Sequence, residues 1–323
     1  MIKTIKTMRK MLMMAVAAAL MCGCEKELKV NNADPVDDAT EAVVNGPTKK
    51  FTFTVKGDFG SPTFRDGDQG EASVNGTGSA APRRRATTYL TDEGNQMTDL
   101  WVFDFVGESC VQSIHQTTSD ATWGQPQMSL ALGTHHVYFV ASRGVSPVVN
   151  ATDKTIVWSS VRDTYWKDYE VTVVSTSNGN RAVTLERVVA KLKLTVNDEI
   201  PVGAATLVCT PDTWYYGMNY RTGVPVTATN DQDISINIPA NYVGTTGQLV
   251  ASFFTVSGAD EWTTDVSVAI KDGNSTTLGS AVIANAPMKR NRSTEYSGNL
   301  FSGSSNMSVS IDGDWSSPYI GTW

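Results

Sequence analysis

Histidine and cysteine are scarce in this chain, three and four in 323 residues. That is too little for a disulfide framework and offers few ligands for a transition metal. Basic residues do not prevail: Lys+Arg number 26 against 33 Asp+Glu, a net charge of −7. A nucleic-acid partner would call for a basic face, so none is expected. Long apolar runs are missing too. With 41% hydrophobic residues the chain can fill ordinary cores but cannot be a multi-span membrane protein. Its one apolar stretch, Met11 to Met21, is shorter than the roughly 20 residues a spanning helix needs. Runs rich in Ala, Leu, Glu and Lys are absent beyond residue 23, whereas Thr, Ser, Val, Gly and Asn abound, a β composition. The Gly-x-Ser-x-Gly elbow, the phosphate-cradling glycine loop and His-Glu-x-x-His are all absent. No enzyme activity, cofactor or metal site is therefore expected.

The N-terminus reads as an export signal. Lys3, Lys6, Arg9 and Lys10 precede the apolar stretch, which ends in Leu20-Met21-Cys22-Gly23-Cys24. That ending resembles a bacterial lipobox, with Gly23 before the cleavage point and Cys24 as the lipidated residue. Residues 1–23 are then a lipoprotein signal peptide and 24–50 a lipid-anchored tether, poor in periodicity. Of the cysteines only Cys110 and Cys209 remain, either bridged or buried as separate thiols.

Strand patterns fill the rest. Phe51-Thr52-Phe53-Thr54-Val55 alternates apolar and polar, a half-buried strand. Residues 57–85 have almost no apolar run and end in Pro82-Arg83-Arg84-Arg85. Strand signals then recur at Leu100 to Val106, Cys110 to Gln116, Met128 to Leu132, His135 to Ala141, Tyr169 to Val174 and Ala182 to Leu185. Between the last two, Ser177-Asn178-Gly179-Asn180 predicts a tight hairpin turn. In Val189 to Val196 the alternation places Leu192, Leu194 and Val196 inside, with Lys191, Lys193 and Thr195 outside. A second series follows at Thr206 to Cys209, Ile234 to Ile238, Leu249 to Val256, Val266 to Ile270, Ala281 to Ala284 and Met307 to Ile311. Two such groups predict an all-β chain with two β-sandwich domains in tandem, 51–186 and 187–323.

Four polar or aromatic features invite a functional reading. His135-His136 are strand neighbours facing opposite ways, so one packed and one solvated ring is expected rather than a shared metal. Asp66-Gly67-Asp68 begins like a calcium loop, but Glu71 and Thr77 break the pattern. Trp214-Tyr215-Tyr216 with Tyr220, and Tyr165-Trp166 with Tyr169, are expected to pack, with a sugar-stacking platform as the alternative. Arg83-Arg84-Arg85, a run of like charges, favours an extended and solvated backbone. It suits an Arg-specific protease; an inert basic loop is the alternative. Cutting between Arg85 and Ala86 would release a single strand, Phe51 to Val55, together with the tether. At the other end Met307, Val309 and Ile311 share one face of a strand preceded by Gly303-Ser304-Ser305. This segment fits either a native last strand or a donor strand that leaves its domain, with Trp315 and Tyr319 anchoring its far end.

The chain resembles the fimbrillin superfamily of Bacteroidales, the subunits and anchors of type V pili. The likeness is carried by Met97-Thr98-Asp99-Leu100-Trp101-Val102-Phe103-Asp104, by Thr134-His135-His136-Val137-Tyr138-Phe139-Val140-Ala141, by Arg187-Val188-Val189-Ala190-Lys191-Leu192, and by Lys289 to Phe301. It implies transthyretin-like, Greek-key sandwiches and a lipoprotein precursor in the outer membrane, exposed at the cell surface. It also implies removal of tether and first strand by an Arg-specific protease, and assembly with other fimbrial subunits by strand exchange, in the service of cell adhesion. An uncleaved, lipid-held pilus anchor, or a monomeric adhesin binding glycan or host ligand, is the alternative.

Overall fold

The computed structural model describes residues 46–57, 88–89, 97–301, 307–313 and 317–321. Gly46–Trp323 form one compact unit. Cys24, Arg83, Arg84, Arg85, Ala86 and Trp315 lie outside the described residues, as do Asp66 to Thr77.

The protein is all-β, built as sandwiches. In chain order the strands are β1 (Thr48–Gly57), β2 (Thr88–Tyr89), β3 (Asp99–Val106), β4 (Ser109–Thr117), β5 (Gln127–Ala131), β6 (Gly133–Ser142), β7 (Val148–Asn150), β8 (Thr155–Val157), β9 (Thr164–Val173) and β10 (Asn180–Arg187). They continue as β11 (Val189–Val196), β12 (Ala204–Pro211), β13 (Trp214–Asn219), β14 (Pro225–Thr229), β15 (Ile234–Asn237), β16 (Gln248–Val256), β17 (Trp262–Asp272), β18 (Thr277–Met288), β19 (Arg292–Gly298), β20 (Met307–Gly313) and β21 (Ser317–Gly321).

In the first half, β9, β6, β3 and β4 make a broad antiparallel layer. Facing it is a smaller layer with β1 in the middle, parallel to β10 and antiparallel to β5. Strand β10 belongs to both layers: Thr52 to Gly57 pair with Asn180 to Leu185, while Glu186 and Arg187 pair with β9. Between the layers lie Phe51, Phe53, Leu100, Val102, Met128, Leu130, Val137, Phe139 and Tyr165, all buried. In the second half the sheet β16-β11-β19-β20-β21 faces β15-β12-β17-β18 over a core that includes Leu192, Leu194, Leu207, Phe253, Val268 and Ile283.

A third apolar cluster joins the halves. Side chains alternate across a strand, so Trp101, Phe103, Phe105, Tyr138 and Val140 leave β3 and β6 on the face away from the first core. They meet Ile156, Trp158, Met218 and Tyr220 around the small sheet β14-β13-β8-β7, and Val188, Val189 and Val256 from the second half. The Phe103 and Tyr220 rings stack at 4.0 Å. The aromatic clusters are thus packed: Trp214, Tyr220 and Tyr165 are buried. The Trp166 indole N–H donates to the Tyr220 carbonyl at 2.7 Å, and that of Trp214 to the Phe254 carbonyl at 3.1 Å.

Three sequence expectations need correction. Lys191 and Lys193 do face away from Leu192 and Leu194, but they are buried, 4% and 9% exposed. Their stems lie along the sheet while the heads find partners. Lys191 Nζ sits 5.0 Å from the centre of the Phe254 ring, and Lys193 Nζ meets Glu295 at 2.7 Å. The second correction is at Asn178-Gly179. The turn forms earlier, where Ser177 N–H donates to the Val174 carbonyl, and Asn180 to Leu185 turn toward β1 instead of folding back on β9. Also, Met307 to Ile311 is not the last strand: the chain reverses after Gly313 and β21 pairs back on β20.

Candidate functional site: the seat of the first strand

The structure concentrates its unusual features around β1. Alternation sends Phe51, Phe53 and Val55 into the core, where none is more than 2% exposed, and leaves Thr52, Thr54 and Lys56 half-buried on the other side. The Phe53 ring meets Phe139 edge-on at 5.2 Å and Tyr169 at 6.0 Å, and Phe51 lies 6.2 Å from Phe53. The Arg181 guanidinium covers the Phe51 ring at 5.1 Å.

Backbone groups along both edges of β1 are engaged. On one edge Thr52 N–H donates to the Gly179 carbonyl at 2.5 Å; on the other, Phe53 N–H donates to Pro126 at 3.0 Å and Val55 N–H to Gly124 at 2.9 Å. Gly179 explains why the expected hairpin gives way. A Cβ there would overlap the Lys50 carbonyl oxygen, so only glycine lets β1 come this close. Without β1 the smaller layer has no middle strand, and among the described residues β5 has no other strand partner.

At the edge of this seat His135 and Asp104 form a buried pair, 2% and 1% exposed in their side chains, with Nδ1 to Oδ1 at 2.8 Å. The Asp104 hydrogen bond raises the His135 pKa above its ordinary value, against desolvation, which lowers it. His136 turns the other way and is 37% exposed, beside Asp168. The two rings therefore diverge, as strand geometry requires. Among the described residues no His, Cys, Asp and Glu group could hold a metal ion. Cys110 and Cys209 are unbridged thiols; burial pushes the Cys209 thiol far up, leaving it inert.

The C-terminal strand β20 pairs antiparallel with β19 from Met307↔Gly298 to Gly313↔Arg292. Met307, Val309 and Ile311 thus take alternate positions in the second half's own sheet, far in sequence from the seat of β1. Arg187 ties the halves at their junction. It holds Asp163 through two bonds, 2.7 and 2.9 Å, and donates to Asn291 at 3.0 Å. Sequence reasoning had no signal for this clamp, because its three members are remote from one another along the chain.

An all-β sandwich protein with a sequence-remote strand in its first core is what fold and site define. The chain belongs to DUF6562, a family of unknown function, which matches residues 128–322. Solved structures share the fold at low identity. A proposed polysaccharide-binding protein (DUF1812) of Bacteroides thetaiotaomicron is 8% identical with a TM-score of 0.50, over 85% of this chain and 98% of that one. A proposed adhesin from Bacteroides ovatus is 11% identical, TM-score 0.48, over 86% and 98%. A fimbrial assembly protein of Parabacteroides distasonis is 12% identical, TM-score 0.46, over 85% and 99%. At these identities the likeness is one of fold. No curated protein matches the sequence.

Proposed function

We propose that the protein is a non-enzymatic structural subunit of a cell-surface fibre serving adhesion, exported as a lipoprotein precursor. The surface role is carried over from proteins of the same fold that are described as adhesins and as a fimbrial assembly protein. Cys24 carries lipid and holds the precursor in the outer membrane. An Arg-specific protease cuts after Arg85, with Arg83 and Arg84 as neighbouring options, and leaves Ala86 as the new N-terminus. Strand β1 then departs with its tether, and a strand from another subunit takes the seat. Met307, Val309 and Ile311 are the donor side chains; to donate them, β20 leaves β19 and Trp315 anchors its far end.

The observation that supports this reading is the place of β1, middle strand of its layer yet remote in sequence from β5 and β10, which flank it. Its loss would bare an apolar slot and two rows of unpaired backbone groups. Strand addition satisfies both at once. Burial of about 1,600 Å², a standard interface, as core-like surface would make dissociation slow.

A second reading keeps β1 in place: an uncleaved lipid-anchored subunit, or a monomeric adhesin for a glycan or host ligand. It is favoured by the same two-sided hydrogen bonding, which holds β1 firmly. N-terminal sequencing of the protein from native envelopes separates the two. A start at Ala86 is expected for the fibre subunit, a lipid-blocked start at Cys24 for the anchor or monomer.

A further inference from the structure

We infer that His135 and Asp104 form a pH-sensitive latch on β5, and through β5 on the seat of β1. Strand pairing holds β5 on one edge only, along β1. Side chains of the broad layer hold its other edge. Gln112 Oε1 accepts the Ser129 N–H at 3.2 Å, and His135 Nε2 meets the Ala131 carbonyl oxygen at 3.1 Å. The other ring nitrogen, Nδ1, meets Asp104 Oδ1 at 2.8 Å.

Proton counting shows why this contact is conditional. A carbonyl oxygen only accepts, so Nε2 must carry a proton; a second proton must lie between Nδ1 and the carboxylate. The histidine–aspartate pair therefore needs two protons to make both bonds. When one is lost, the other stays on Nδ1, beside the anion. Nε2 then turns a lone pair toward the Ala131 oxygen, and the bond to β5 is gone. Both side chains are buried, so water does not replace it at no cost.

The surroundings isolate this titration. Strand β5 carries no ionisable side chain, and on β3 the other charged residue, Asp99, lies on the opposite face with His115. From β9 the titratable groups on the core-facing positions are Tyr165, Tyr169 and Lys167, the last paired with Glu186 at 2.6 Å. Strand β4 carries Cys110, which packs against the seam between the halves, and His115, paired with Asp99 on the far face; from β1 Lys49 is half-buried near this end. His136, Asp168 and Glu170 sit across the sheet.

The hydrogen bond to Asp104 raises the folded-state pKa above the ordinary histidine value. The latch is accordingly whole below about pH 6.5 and weakens as pH rises through the folded value, by up to about tenfold in the opening equilibrium per pH unit. Mildly acid surroundings lock β1, and rising pH loosens it. This holds whether or not β1 is ever exchanged.

Hydrogen exchange of the full chain between pH 6 and 9, corrected for intrinsic rates, tests the latch. Peptides covering 127–131 and 48–57 should lose protection with rising pH, while those covering 262–272 keep theirs. In His135→Gln the pH response of both segments should be flat. Nitrogen-15 NMR of the wild-type histidines should show His135 titrating above 6.5. Titration of His135 at or below 6.5 overturns the proposal, even if the variant fails to fold. So does unchanged protection at 127–131 up to pH 9, or a wild-type pH response in His135→Gln.

Discussion

Among the described residues each half of the molecule contains one parallel strand pair, and the two pairs are built differently. In the second half β19 lies parallel to β11, but it follows β18 through the short turn at Lys289 to Asn291, and β18 is itself the hairpin partner of β17. In the first half β1 lies parallel to β10, and residues 58–98 separate it from β3, the next strand of its sandwich core. Neighbouring antiparallel strands thus deliver β19 to its place. Nothing local delivers β1; the first core takes its middle strand from a distant part of the chain. A long closure costs more chain entropy and postpones the reward of contact, so β1 is the element expected to dock last and leave first.

The largest effect should follow from emptying the seat. Phe53→Ala removes a fully buried ring between Phe139 and Tyr169 and should cost about 4 kcal/mol. Hydrogen exchange should lose protection across β1, β5 and β10 but hold it in β12 and β17. Uniform loss in both halves would mean that the difference between them is false.

Arg187→Leu comes next. It takes the guanidinium from the Asp163 carboxylate and removes the bond to Asn291, and should cost roughly 3 kcal/mol in chemical denaturation. The junction should also loosen, so that the halves unfold in two steps rather than one; a single unchanged transition would count against the clamp. Gly179→Ala is expected to cost about 2 kcal/mol, since its methyl group must displace the Lys50 carbonyl. Its signature is local, a faster exchange of Thr52 N–H. Smallest of all should be Lys193→Met, within about 1 kcal/mol of wild type by thermal melting, because an apolar stem survives on a buried face and the Glu295 left behind is 38% exposed to water.

Much of this fold is legible in the sequence because alternation is local. The phase of Phe51 to Val55 agrees with the buried face, and Leu192, Leu194 and Val196 point into the second core as their alternation predicts. The divergence of His135 and His136 follows from the same geometry. What escapes is non-local. Asn178-Gly179 has the chemistry of a hairpin turn, yet its glycine serves close approach by β1, which no window around residue 179 contains. Lys191 and Lys193 follow the expected phase, but a sequence window does not show Phe254 and Glu295 waiting for their heads. Strands β7 and β8, three residues each, are too short to show alternation, and β13 is hidden in a run of aromatics. As for the site, the sequence marks β1 and the strand at Met307, while the His135–Asp104 pair and the Arg187 clamp depend on contacts between remote segments.

The account rests on β1 being the removable middle of the first core. Its most direct measurement is hydrogen exchange on the chain cut after Arg85 by an Arg-specific protease, before and after the released fragment is separated in mild denaturant. The expected result is full protection while the fragment stays bound. After its removal, exchange should accelerate in its strand partners β2, β5 and β10, and the protection should return when a peptide covering 48–57 is added. Unchanged protection of β5 and β10 after the fragment has gone would contradict it.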